Sequence, residues 1–166
     1  MNDSEVWLVH AGCGKTFAAR QRDDTLDFVV GGYKYLHPLK PATLLEVEQI
    51  KANDGELNPE WPWNYIEALE REYKKGRYKY ILAPVIVELA DSLRMKDIPF
   101  VLVYPHASLK REYETRYVER GNSKDFLTVF IERWERWCTI FESMMHPSRR
   151  VILQDGQYLT DVLGGD

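Results

Sequence analysis

Short apolar runs alternate along this chain with longer segments in which apolar residues return every three or four positions. Runs at 6–9, 26–30, 78–83, 98–104 and 149–153 predict strands, the clearest being Ile98-Pro99-Phe100-Val101-Leu102-Val103-Tyr104. Between them the spacing predicts helices. The first runs from Lys15 to about Arg22; a second starts at Thr43, where Thr43 and Glu46 form a capping-box pattern over the stripe Leu44, Val47 and Ile50. Ile66, Leu69 and Tyr73 mark a third helix that stops at Lys75-Gly76, and Leu89 and Leu93 lie in a fourth from Val85 to Lys96. A charge-dense helix over 108–122 precedes the longest one, capped by Ser123 and running to about Met145 on Phe126, Phe130, Trp134, Trp137 and Phe141. A short terminal helix, 157–163, closes the pattern. Strands alternating with helices imply an α/β fold, a parallel sheet covered on both faces, with ligands at the carboxyl ends of its strands.

The first strand runs into Ala11-Gly12-Cys13-Gly14-Lys15-Thr16. Two glycines let the backbone turn with its amides inward, and such a nest followed by a helix start binds anions. Ala11, Gly12, Cys13, Gly14, Lys15 and Thr16 are therefore the expected phosphate-binding residues, with Lys15 reaching the terminal phosphates and Thr16 ligating Mg²⁺. The match to the Walker A pattern is incomplete, because Val9 stands where its first glycine belongs. The strand before and the helix after supply the context that the motif needs.

Asp27, near the start of the second strand that Gly31-Gly32 closes, is either a turn former or a substrate or metal contact facing the loop. Trp61 and Trp63 stand among prolines 59 and 62, able to stack on a base or to cap a core; of the two, the core reading fits better the area each ring buries. Arg116 and Arg120 share a helix face, with Arg111 on the other side. Arginines above a phosphate loop can offset the charge that builds during phosphoryl transfer, although Glu112 is spaced to pair with Arg116. Neither the third nor the fourth strand ends in an acid, so no Walker B aspartate is visible and a motor-type ATPase is disfavoured.

Composition narrows the classes further. With 166 residues, 45% of them hydrophobic, the chain fits a single globular domain over 1–166. The net charge of −4 supplies no general attraction to nucleic acid or anionic membrane. Two cysteines, Cys13 and Cys138, are no disulfide framework and fit a reducing compartment. The acidic start lacks the basic and apolar regions of a signal peptide, and no apolar run approaches a membrane span, so the expectation is a cytoplasmic protein.

The order of these features resembles the P-loop nucleoside and nucleotide kinases, and within them the adenylate-kinase-like proteins encoded by bacteriophages and some bacteria. The residues that carry the likeness are Gly12-Cys13-Gly14-Lys15-Thr16, Asn64-Tyr65-Ile66, Val103-Tyr104-Pro105, Lys110-Arg111-Glu112-Tyr113 through Arg116 to Arg120-Gly121-Asn122, and Gln157-Tyr158-Leu159. The resemblance implies a three-layer αβα P-loop NTPase fold with about five parallel strands, ATP as donor and Mg²⁺ as cofactor. It implies a nucleoside or deoxynucleoside monophosphate as acceptor, bound between the second strand and an insert at about 33–75, with Asp27, Trp63 and Tyr65 as substrate-binding residues. It also implies a lid at about 108–122 carrying Arg111, Arg116 and Arg120, which act with Lys15 in catalysis. Such an acceptor is already ionised and needs little general-base help. Two other readings share the donor site: a polynucleotide-end kinase, which requires Lys34, Lys40, Lys110 and Arg111 to form one basic groove, and a regulatory ATP-binding module without turnover.

Overall fold

A computed structural model describes residues 2–36 and 56–164 of the chain. Five strands, β1 (Glu5–Val9), β2 (Thr25–Asp27), β3 (Tyr80–Ala83), β4 (Phe100–Pro105) and β5 (Arg149–Leu153), form one sheet in the order β2-β3-β1-β4-β5. Every neighbouring pair is parallel, with Trp7 opposite Leu82 on one side and Val101 on the other. Such sheets bury both faces, which is why the strands read as continuous apolar runs.

Successive residues of β1 divide between two cores, as the two-residue period of a strand requires. Val6 and Leu8 pack with Ile66 and Leu69 of α3 (Trp63–Lys75) and Leu89 and Leu93 of α4 (Val87–Met95). On the other face Trp7 and Val9 pack with Ala18 of α1 (Lys15–Arg20) and Tyr113 and Tyr117 of α5 (Lys110–Glu119). The protein is thus an α/β structure with helices on both sides of an all-parallel five-stranded sheet. Its central strand feeds α1 and the β2 side, while β4 feeds β5, so the chain diverges at the carboxyl ends of β1 and β4. Crevices of this kind are where open α/β sheets hold ligands.

The structure departs from the sequence-based expectations in four places. β2 ends at Asp27, and Val30 caps a one-turn helix α2 (Gly31–Lys34) instead of closing the strand. Trp63 already belongs to α3, with Pro62 at its cap, where a proline costs no backbone donor. The long helix after Ser123 is broken: α6 (Lys124–Leu127) passes into a π-helical turn (Thr128–Glu132) before α7 (Trp134–Ser143). A wider turn re-phases the aromatic stripe, so Trp134 reaches the core around Trp7 while Phe141 reaches the one around Leu8. The terminal helix shrinks to a single 3₁₀ turn (Leu159–Asp161), because the Leu159 amide is used on the Cys13 carbonyl at 2.7 Å. The helix expected from Thr43 lies outside the described residues, as does Lys40. Among the described residues no helix is long and apolar enough to cross a membrane.

Candidate functional site: the glycine loop at the end of the central strand

β1 ends at Val9, which is fully buried, and the chain turns at once through His10 to Gly14. Gly12 and Gly14 hold φ values of +84° and +93°, a region open to glycine and costly for other residues. A Cβ on Gly12 would lie 2.6 Å from Cε1 of Tyr117. The loop's shape therefore depends on that position being bare.

What holds the loop is an outer set of donors from distant parts of the chain. The Tyr117 hydroxyl donates to the Ala11 carbonyl at 2.7 Å, an Arg116 Nη to the Gly12 carbonyl at 3.0 Å, and the Leu159 amide to the Cys13 carbonyl at 2.7 Å. In a trans peptide the N–H points opposite the carbonyl. Drawing the Ala11 and Cys13 carbonyls outward therefore turns the Gly12 and Gly14 amides inward, while the Cys13 amide closes a turn on the His10 carbonyl at 3.4 Å. Beyond them the first amides of α1 have no acceptor within the helix. Lys15 Nζ donates to the Val9 carbonyl at 3.2 Å, which sets the ammonium across the loop. At the position where Walker A has its first glycine, Val9 thus serves as a core residue and as the lysine's anchor.

Arg116 is the centre of the outer set. It is 8% exposed, its guanidinium lies 3.9 Å from the Tyr158 ring centroid and 4.4 Å from that of Tyr113, and a second Nη donates to the Gln157 carbonyl. Glu112 pairs with it at 3.4 Å, as their spacing predicts, and accepts the Gly156 amide. The sequence-based expectation placed Arg116 over transferring phosphates; in the structure its donors hold loop and C-terminal carbonyls from outside, a positioning geometry. α5 itself is seated on the sheet through the fully buried Tyr113 and Tyr117, while Arg111 and Arg120 are exposed. Arg116→Lys keeps the charge but loses the planar fork and should lower stability by about 1.5–3 kcal/mol, roughly 3–10 °C in the unfolding midpoint of a chain this size. Calorimetry giving an unchanged midpoint would show that the clamp contributes nothing.

Asp27 and Thr16 do come together. The Thr16 hydroxyl donates to Asp27 Oδ2 at 2.9 Å, joining α1 to the end of β2. Beside them lies an aromatic cluster: Phe28, Tyr33 and Tyr65 have ring centroids 5.0 to 5.6 Å apart, and Trp61 stacks obliquely on Tyr65. Tyr65, expected to touch an acceptor, is fully buried and gives its hydroxyl to the Phe28 carbonyl, because a phenol inside a core needs a partner. Burial first, then the Asp27 carboxylate and Tyr33, push its ionisation well above the ordinary tyrosine range. Trp63, at 56% exposure, keeps an open ring. Lys34 Nζ lies over the rings of Tyr35 and Trp61, whereas Lys110 pairs with Glu135 at 3.0 Å on the far side of the sheet. These two lysines share no groove.

Two features of the loop were invisible in the sequence. Cys13 is a buried thiol facing the Tyr113 hydroxyl, and burial pushes its pKa up to about 11, so it is no nucleophile near neutral pH. His10 is 1% exposed, ringed by Phe130, Trp134, Trp137 and Phe141 at 4.9 to 6.2 Å, and among the described residues neither ring nitrogen has a hydrogen-bond partner. Burial, aided by Lys15, lowers its pKa to about 3 and keeps it neutral. The aromatic spacing from Phe126 to Phe141 is the one signal for this box; nothing local points it at His10.

Among the described residues no three His, Cys, Asp or Glu side chains converge as a metal cage. A cavity of about 450 Å³, lined by Glu5, Lys79, Pro99 and Arg149, opens at the amino ends of the strands, opposite the loop. No family model matches the chain, and neither does any curated protein or solved structure.

Proposed function

We propose that the chain is an ATP-dependent phosphotransferase whose donor phosphates lie in the glycine loop. The observation that carries this reading is the set of outward bonds on the Ala11, Gly12 and Cys13 carbonyls, which turns the Gly12 and Gly14 amides to the concave side. Lys15 and Thr16 follow on the same turn. This arrangement suits the terminal phosphates of a nucleotide, with Lys15 exchanging the Val9 carbonyl for phosphate oxygen.

The hydroxyl of Thr16 and the carboxylate of Asp27 are hard oxygen donors 2.9 Å apart, a set that fits Mg²⁺ better than softer metals. When bound there, the ion offsets charge on the phosphate oxygens. The protein's own share is positioning: Lys15 balances charge on the moving group, and Arg116 keeps the Gly12 carbonyl out of its way. The acceptor's place in this reading is the side of Asp27 toward Trp63. A nucleoside monophosphate is the acceptor that the family resemblance implies.

Lys15→Ala tests the donor site. The substitution removes little packing, so the unfolding midpoint should stay within about 2 °C, while MgATP affinity measured by titration calorimetry should fall beyond detection. A folded Lys15→Ala protein that binds MgATP as the wild type does would overturn the reading.

A further inference from the structure

We infer that the cavity at the amino ends of the strands is a second binding site, taking a small molecule with two separate acidic groups, phosphates or carboxylates. It lies at the opposite end of the sheet from the glycine loop and stands whether or not that loop holds ATP. A parallel sheet lines up the starts of its strands: Glu5 of β1 lies opposite Tyr80 of β3, Val6 opposite Phe100 of β4, and Val101 opposite Arg149 of β5. The cavity of about 450 Å³ that they line is of the size that small molecules occupy.

The lining offers donors that lack acceptors. Tyr80 is 3% exposed, yet among the described residues its hydroxyl has no hydrogen-bond partner. That hydroxyl lies 3.5 Å from where a Cβ on Gly164 would stand, and both residues line the cavity. Lys79 Nζ is held 5.3 Å from the Tyr80 ring centroid, and the Arg149 guanidinium 5.2 Å from that of Trp7. Among the described residues no carboxylate comes within ion-pair distance of either cation. Arg22, also over the Tyr80 ring, shows the contrast: two of its nitrogens donate to Asp24, at 2.9 and 2.8 Å. The hydroxyls of Ser4 and Ser148 are spent on the Tyr78 and Phe100 carbonyls. Glu5 is the one acid in the lining, and its carboxylate accepts the Trp7 indole N–H at 2.9 Å. Two cations thus face one carboxylate, and the surplus is positive.

These groups select the chemistry of the ligand. A phenol, an ammonium and a guanidinium together call for charged oxygen acceptors, and a guanidinium fork matches the paired oxygens of a carboxylate or phosphate. Spacing selects its shape. The strands that follow Lys79 and begin with Arg149 have β1 and β4 between them, which sets their backbones about 14 Å apart. With each cation laid on its own ring, a molecule with an acid at either end bridges them better than a single phosphate ion. The rings hold both side chains in place beforehand, so binding gives up little of the freedom that loose cations would lose. An anion seated there ties β3 to β5 and stabilises the folded chain by mass action.

The test titrates tripolyphosphate, glutarate and inorganic phosphate, each by calorimetry at low salt, into the full chain carrying Lys15→Ala, which removes the lysine of the glycine loop. A thermal melt checks that each variant is folded. Tripolyphosphate or glutarate should bind, the tighter of the two naming the acid, and inorganic phosphate should bind ~10-fold or more weakly. Adding Lys79→Ala with Arg149→Ala should weaken the tighter probe ~10-fold or more, and Tyr80→Phe ~3-fold. Glu5→Gln should tighten it ~3-fold, because glutamine keeps an oxygen for the indole and drops the opposing charge. Lys74→Ala with Arg94→Ala removes the same charge outside the lining and should leave affinity within about 2-fold. The site is overturned if neither long probe binds, or if phosphate binds as tightly as they do. An equal loss in the Lys74 and Arg94 pair overturns it, as does a Glu5→Gln protein that binds more weakly. Binding to the wild type that vanishes with Lys15→Ala alone would put the anion in the glycine loop, which removes this site and leaves the donor reading standing.

Discussion

Gly12→Ala is expected to disable the glycine loop and destabilise the whole protein. The new methyl would start 2.6 Å from Cε1 of Tyr117 and 3.3 Å from Cδ2 of Tyr113. Neither ring can move aside cheaply: both are fully buried, and the Tyr117 hydroxyl is tied to the Ala11 carbonyl. The backbone adds its own resistance, since φ at this residue is +84°. Left-handed strain of about 1–2 kcal/mol and overpacking of about 1–3 kcal/mol give roughly 2–5 kcal/mol together. For a chain of this length that lowers the unfolding midpoint by roughly 6–15 °C, and the surviving folded fraction should bind MgATP poorly. Gly31→Ala is the matched control. It lies in α2, where a Cβ would meet nothing within 4 Å among the described residues, so alanine there should be neutral or stabilising by up to about 1 kcal/mol. Equal melting curves for the two variants would show that the loop tolerates a side chain and that Tyr117 yields to it.

The second large effect is on acid stability, through His10. Its pKa is about 3 in the folded protein, against 6.5 in an unfolded chain. The unfolded state therefore takes up a proton below pH 6.5 that the folded state refuses. Stability from this residue is whole above pH 6.5 and drains away as the pH falls toward 3, at up to about 1.4 kcal/mol per pH unit. Denaturant unfolding of the wild type and of His10→Leu between pH 7 and 4 isolates the effect, because the other titrating groups are common to both. The difference between the curves should grow by about 3 kcal/mol across that range, in favour of leucine. At neutral pH leucine should cost little, since it removes two buried nitrogens that lack partners among the described residues. Parallel curves would mean that water or a local opening reaches the imidazole.

These two residues also mark the limit of what the sequence discloses. Strands were legible because a sheet buried on both faces writes itself as unbroken apolar runs, and the Gly-Cys-Gly-Lys-Thr turn was legible because two glycines within three residues have few other uses. That Asp27 faces the loop is legible only as one of two alternatives, and its bond to the Thr16 hydroxyl is not legible at all. Arg116 was noticed for its charge, but its use as a carbonyl clamp depends on Gly12 and Gln157, 104 and 41 residues away in the chain. Periodicity cannot report contacts at such separations. Nor could it locate the π-helical turn, since the aromatic spacing that produces it also fits an unbroken helix until both cores are known. Tyr65 is the opposite case: its neighbourhood suggests a substrate contact, but its hydroxyl is taken by the Phe28 carbonyl.

The donors that hold the Ala11, Gly12 and Cys13 carbonyls come from Tyr117, Arg116 and Leu159. During synthesis the ribosome releases β1 and the glycines long before any of these partners exists. A nascent chain stalled before residue 116 has the glycine loop without its brace, and only when Leu159 clears the exit tunnel is the last carbonyl secured. Nucleotide capture should accordingly appear late and abruptly in a series of stalled chains of increasing length. The glycine loop, among the earliest residues to be made, is thus among the last parts of the fold to be secured.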